Sequence, residues 1–509
     1  MAEDIYPDTD RPVAYTFMLT RRALLQGVIA AGGSIGMARA SETFLTSQGQ
    51  QGGRRQMSSS NKTLALAQLL NRVKYEELPP LAIEHAKVII ASTLASAAFG
   101  CDLGSSRILR DLSKEAGGKP EATIWFDGTK LPVNVVARVN AMLSDAAASD
   151  DSDMRNTVHC GTTLTSAGLA LAERTSATGQ ELLSAMVAGY EAAGRINTVI
   201  RSGGGGVSGI HASQLVAFSG AVACSKLLRL TDEQMAHAIG ITAVTMGGIL
   251  IGTNSWAREY MGSNASACGV NAALAAGRGF RVNDDMLGAP GGYFATFGAG
   301  AKAVTDTLTR DTKEWDIIKY LAIKLVPGLH QAHATAEAAV NAARQANVPV
   351  DDIAKIYIAR PQRLTSVDTT PPKDMIEAIH SVEYFVASAM VDKDYSWIHV
   401  SNEKIHRPVI ARVMALIEPD PAPAPHRSEW SYGGTVTIVT KSGARFTSTV
   451  DAPRASGPRG IEWKDIEAKY RALMPSSKLP AKRIDESLKV IRAFDKVKNA
   501  SELISLLKV

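Results

Sequence analysis

The sequence has few cysteines and does not group them. Cys101, Cys160, Cys224 and Cys268 lie far apart in 509 residues, with no CxxC among them. An even count would permit disulfides, but Cys224 and Cys268 fall on apolar, helix-like stretches where buried free thiols are the commoner outcome, so no structural disulfide is expected. HExxH is absent. His330 and His333, like His399 and His406, are close in sequence but have no evident carboxylate partner, so no metal site is expected. Aromatic residues make up only 6% of the chain, and no Lys/Arg cluster is interleaved with them, which argues against nucleic acid as a partner. Neither sign of charge dominates: the net charge is +5. With 45% apolar and 21% charged residues, the composition is that of a globular chain rather than a disordered one.

Long apolar runs are also missing. The charge-free run Ala23 to Ala38 is too short for a comfortable membrane span, so the chain is not expected to be membrane-embedded. Thr20-Arg21-Arg22 precedes that run and Ala38-Arg39-Ala40 ends it. A twin arginine before a Gly/Ala-rich segment with an A-x-A site reads as a Tat-type export signal over 1–40. The mature protein then begins near Ser41 and is periplasmic or secreted; if the signal is not used, it is cytoplasmic. Residues 41–60, rich in Gly, Ser and Gln, read as a flexible linker.

Beyond the linker, helical patterns dominate. Apolar spacing predicts helices over 63–73, from Pro79-Pro80 to Gly100, over 133–143 and over 162–174. Thr178 with Glu181, and Thr231 with Gln234, have the form of capping boxes. Residues 209–230 and 262–280 are also helix-like. Many of these segments are crowded with Ala, Ser and Gly, which predicts close helix–helix approach. The texture changes after about residue 295. Residues 355–360 alternate like a strand, and 435–440 with 445–450 read as a hairpin. Helix-like runs at 333–346, 381–391 and 408–417 lie among them, and Pro421 to Pro425 reads as a stiff spacer. The last fifty residues return to helix. The expected fold is mostly α, with a large helical domain up to about residue 295 and a smaller α+β domain after it.

Two formal motifs fail on context. Gly32, Ser34 and Gly36 fit G-x-S-x-G but lie in the export signal. Gly204, Gly206 and Gly209 fit G-x-G-x-x-G inside a glycine run with no βαβ unit around it. What remains are polar islands beside small-residue helices. The densest packs Asp150, Asp151, Asp153, Arg155 and His159 into ten residues. It reads either as a solvated acidic cap for the next helix or as a functional cluster, since burying such charge is expensive. His159, His211, His333 and His380 are candidates for acid/base work near neutral pH. Arg258 could fork onto a carboxylate, or be an exposed helix charge.

Taken in order, the islands resemble the MmgE/PrpD family, whose members include 2-methylcitrate dehydratase and cis-aconitate decarboxylase. The segments that carry the resemblance are Ala148-Ser-Asp150-Asp151-Ser152 with His159-Cys-Gly161, residues 209–241, GSNASACGVNAALAAGRGF (262–280), APGGYFATFG (289–298), LVPGLHQAHATAEAA (325–339), HSVEYFVASAM (380–390) and VDAPRASGP (450–458). The resemblance covers about residues 62–508. It implies a large all-helical domain (61–295, rejoined by 455–509) with a smaller inserted α+β lid (296–454), a homodimer, an active site in the cleft between helical domain and lid, and no metal or organic cofactor. It implies a lyase that moves a proton beside a carboxylate of a small hydroxy- or unsaturated polycarboxylate. His159 and His211 would be the acid/base pair, with Asp150 and Asp151 beside them. Asp151 and Ser152 would orient that pair or hold substrate, and Arg258, Tyr260, His333 and His380 would contact substrate, the last two from the lid side. Ala148, Ala257 and Gly291 depart from the family's aspartate and lysines, and Tyr260 stands where a histidine is usual. Those losses point to a different, less charged substrate, to an epimerase or isomerase, or to a degenerate binding protein.

Overall fold

The structure, a computed structural model, describes residues 61–509 apart from 156–157, 202–209, 246, 299–304, 312–313, 362–363 and 424–431. The expected signal, the linker, both discarded glycine motifs and the end of the Pro421–Pro425 spacer lie outside the described residues.

Local capping chemistry sets many of the helix starts. The Asn61 side chain accepts the Leu64 N–H at 2.9 Å and opens α1 (Lys62–Asn71). Pro80 is the first residue of α2 (Pro80–Gly100), where its missing N–H costs nothing. There follow α3 (Gly104–Ala116), the short pair β1 (Ala122–Thr123) and β2 (Lys130–Leu131), α4 (Val133–Ala146), β3 (Asp151–Asp153) and α5 (Cys160–Thr175). Thr178 and Glu181 form the expected reciprocal box, 2.9 and 3.2 Å, at the start of α6 (Gly179–Arg201). After α7 (Ser213–Leu227), Thr231 and Gln234 do the same at 3.0 and 3.2 Å for α8 (Asp232–Thr245).

The small-residue helices do approach closely. α7 packs on α6 and on α9 (Ala257–Gly277). A Cβ on Gly269 would lie 2.7 Å from the Ala221 backbone nitrogen, so only glycine fits that crossing. α2 is long and apolar enough to cross a membrane, but 83% of its apolar window is buried inside the protein, where it serves as the central core helix.

Beyond α10 (Tyr293–Phe297) and α11 (Asp316–Lys319), the strand β4 (Leu321–Ile323) leads into a second apolar cluster separate from the first. This cluster is built on a four-stranded sheet of order β6-β5-β7-β8, from β5 (Ile353–Ala359), β6 (Ile417–Pro419), β7 (Gly434–Thr440) and β8 (Arg445–Val450). β6 runs parallel to β5, and the other pairs are antiparallel. β8 alternates outward and inward along the edge, as a half-buried strand should. α12 (His330–Ala346) covers β7 and β8 and packs on α14 (Val382–Asp392). α13 (Met375–His380), α15 (Asn402–Ile405) and α16 (Pro408–Met414) complete this part. The last helices, α17 (Trp463–Leu473), α18 (Ala481–Arg492) and α19 (Ser501–Leu506), return to the first cluster and pack on α2 and α5. The fold is mostly α, and all four cysteines are free.

Candidate active site

The acidic island is not a solvated loop. It is a buried strand: β3 pairs antiparallel with β4, with Asp151 opposite Ile323 and Asp153 opposite Leu321. Main-chain bonds extend the pairing, from Lys324 N–H to Asp150 O at 3.1 Å and from Gly328 N–H to Ala148 O at 2.8 Å. Asp150, Asp151 and Asp153 are at most 2% exposed. Carboxylates buried to this degree need partners.

Side chains alternate along an extended segment, and the three acids do different work. Asp150 faces a cavity. Its Oδ1 accepts from Lys324 Nζ at 2.7 Å, and its Oδ2 has no hydrogen-bond partner among the described residues and lies 3.6 Å from His159 Nδ1. Burial opposes its charge, but His159 and Lys324 outweigh burial and hold the carboxyl well below the ordinary range. Asp151 points away: its Oδ1 accepts the Gly161 N–H at 2.6 Å. Burial, with Asp150 alongside, pushes its carboxyl up to about 7. Asp153 is engaged by Arg155, Nε to Oδ1 at 3.0 Å, and Arg155 also reaches Asp316 at 2.8 Å.

The cavity measures about 280 Å³ and lies between the two apolar clusters. Asp145, Asp150, His159, Arg201, His211, Arg258, Lys324, His330 and His380 line it. First-turn residues of four helices also line it: Thr162 and Thr163 of α5, Ser213 of α7, Arg258 of α9, and His330 with Gln331 of α12. Their partly positive ends favour an anion there.

Three of the histidines are held in defined tautomers. His159 Nδ1 donates to the Asp151 carbonyl at 2.5 Å, which leaves Nε2 as a lone-pair acceptor. His211 is reversed: its Nδ1 accepts the Ser213 N–H at 3.2 Å, with Ser213 Oγ at 2.8 Å, so its proton sits on Nε2. His380 Nδ1 donates to Ile376 O at 2.8 Å, again leaving Nε2 free to accept. Burial pushes each of the three down to about 4, so all are neutral near pH 7.

Not every expected site residue lies on the cavity wall. Asp151 and Ser152 do not line the cavity; both sit behind it, at 2% and 0% exposure, and act on His159 from there. Ser152 Oγ lies 3.3 Å from His159 Nδ1 and 3.0 Å from His330 Nδ1. His333 stands behind His330, ring centroids 4.8 Å apart, and stacks on Phe385. Tyr260 does not line this cavity. Its half-exposed ring lies 4.7 Å from the Arg138 guanidinium, in a separate groove with Cys268 and Phe280. Arg258 does line the cavity, but its fork is committed to Asp145, at 2.8 Å to Oδ1 and 2.7 Å to the carbonyl. Ala148 lines the cavity, whereas Ala257 and Gly291 do not.

The chain matches the MmgE/PrpD N-terminal domain over residues 64–305 and the MmgE/PrpD C-terminal domain over 327–493. It belongs to the MmgE/PrpD family. A cis-aconitate decarboxylase of Homo sapiens is 24% identical over 457 residues, covering 88% of this chain and 94% of that one. One from Aspergillus terreus is 22% identical over 496 residues, covering 88% and 96%.

In this MmgE/PrpD chain the sequence did not single out Lys324, His330 or Asp145 as site residues. Lys324 immediately precedes the family-like stretch 325–339, and a lone lysine after an apolar triplet carries no pattern. The nearness of His330 and His333 was visible, but not which of them faces the cavity. Asp145 reads as an ordinary residue near the end of α4 until Arg258, 113 residues on, closes over it.

Proposed function

We propose that this chain is a lyase acting on a small hydroxy- or unsaturated polycarboxylate by proton transfer beside a carboxylate. The observation that carries this is the opposite tautomers of His159 and His211 on one cavity. His159 Nε2 has a lone pair to take a proton from carbon; His211 Nε2 has a proton to give. In dehydration the C–H electron pair becomes the C=C bond, the C–O bond breaks, and the His211 proton leaves with the hydroxyl as water. A base and an acid placed this way contribute about 10²–10⁴ in rate each. Arg201, Arg258 and Lys324 outnumber Asp145 and Asp150 among the described lining residues, and with four helix N-termini they suit an anionic substrate.

The names of the two relatives favour a second reading, decarboxylation. There a C–C bond breaks, carbon dioxide leaves, and His211 Nε2–H protonates the carbanion. Incubating the protein with cis-aconitate, citrate, 2-methylcitrate and malate, and following products by mass spectrometry, tests both. Loss of water from one acid supports the first reading, and loss of carbon dioxide the second. Silence across the panel contradicts the lyase assignment.

The part built on β5–β8 would act as the lid, carrying His330 and His380 onto the cavity. A second copy of the chain would cover the apolar groove around Leu112, Tyr260 and Phe280; sedimentation of wild type and Leu112→Glu reads this. Export through the twin arginine is tested by fractionating cells that express wild type or the Arg21→Lys/Arg22→Lys variant.

A further inference from the structure

His330 is 1% exposed, lines the cavity, and is the first residue of α12. Its ring is fixed on one side only. Nδ1 lies 3.0 Å from Ser152 Oγ, while Nε2 is buried and has no hydrogen-bond partner among the described residues. An unpaired polar atom in that position is costly unless something else in the cavity meets it.

The proton on this ring can be traced through its neighbours. The Asp151 carbonyl can only accept, so His159 Nδ1, 2.5 Å away, carries a hydrogen. Ser152 Oγ, 3.3 Å from the same nitrogen, therefore meets an N–H and acts as acceptor on that side. Ser152 is fully buried, and among the described residues the one group placed to take its hydroxyl proton is His330 Nδ1, so satisfying that proton makes Nδ1 the acceptor. A nitrogen that accepts is unprotonated, so the proton of the neutral ring sits on Nε2. Burial, with His333 and Lys324 nearby, holds His330 well below the ordinary histidine range and keeps it neutral.

We infer that His330 is a substrate-binding residue, whose Nε2–H donates to a carboxylate oxygen of the bound acid, and that Ser152 is the positioning residue that fixes this tautomer. The inference rests on the lyase reading of the cavity and names one of its carboxylate contacts. A neutral donor at this point also suits the cavity's existing pairs, since Lys324 is shared with Asp150 and Arg258 with Asp145.

Two measurements on the full chain test it. In ¹⁵N-histidine-labelled protein, the His330 resonances (assigned by their loss in His330→Gln) should show a pyridine-type Nδ1 and a pyrrole-type Nε2. Ser152→Ala should mix the two forms. A proton on Nδ1 in the wild type overturns the inference. In the second measurement, binding of cis-aconitate, citrate, 2-methylcitrate and malate is followed by calorimetry. His330→Phe should weaken binding of the acid that wild type takes by about 10- to 100-fold, and His330→Gln, which keeps an N–H, should restore most of it. Equal binding by folded His330→Phe overturns the inference alone. If His330→Phe does not fold, His330→Gln decides, and a loss as large as complete removal of the donor overturns the inference. A wild type that binds none of the four acids overturns the lyase reading, and the His330 contact with it.

Discussion

Lys324 Nζ sits 2.7 Å from Asp150 Oδ1, joining residues 174 positions apart at 4% and 1% exposure. Behind them lies Lys469 of α17, bonded to Ser92 Oγ at 2.8 Å and to the Ser149 carbonyl, and pushed down to about 7 by burial. The acidic island is thus charge-compensated from the residue that follows β4 and from the C-terminal helices.

Removing one member of that pair should be expensive. Lys324→Met leaves Asp150 buried and unpaired and should cost about 3–5 kcal/mol. Adding Asp150→Asn to it should recover much of the loss. Urea unfolding of wild type, single and double variants reads both changes.

The histidines set the acid limit of the protein. His211 is held at about 4 when folded, against an ordinary value near 6.5. Between those values the unfolded chain binds a proton that the native one refuses, so His211 contributes stability that is fully present above about pH 6.5 and is lost as pH falls toward 4. His211→Gln removes this contribution. Wild type should therefore lose stability more steeply than the variant over that window, by up to about 1.4 kcal/mol per pH unit. Chemical denaturation at a series of pH values gives the two slopes. For the same reason, the acid limb of kcat/KM should lie near pH 4, set by neutral His159, and not near 6.5.

Gly161 has a packing reason to be glycine. A Cβ there would lie 2.6 Å from Asp151 Oδ1 and 3.0 Å from Ile89 Cγ2. Gly161→Ala should cost about 1–3 kcal/mol through overpacking. It should also lower turnover by displacing Asp151, whose carbonyl orients His159. Thermal unfolding and steady-state kinetics on one preparation check both effects.

The helices were legible because their signals are local. Thr178 with Glu181, Thr231 with Gln234, and Pro80 act within one turn of where they stand. The acidic island was legible as residues but not as structure, because β3 exists only by pairing with β4 about 170 residues later. The site was half legible. His159, His211, Asp150, Arg258 and His380 share one cavity. Arg258 and Tyr260 could not both face it: two residues apart on a helix, they point about 200° apart, and Tyr260 faces the opposite groove. Asp150 and Asp151 part for the equivalent reason on extended backbone, where neighbours face opposite sides.

The opposed roles of His159 and His211 are tested most directly by solvent-deuterium exchange into recovered substrate, on whichever acid the protein turns over. The account predicts that His211→Gln still exchanges the proton beside the carboxylate, because the base is intact, while product formation falls by about 10²–10⁴. His159→Gln should lose exchange and product together. Exchange that survives His159→Gln would contradict the account.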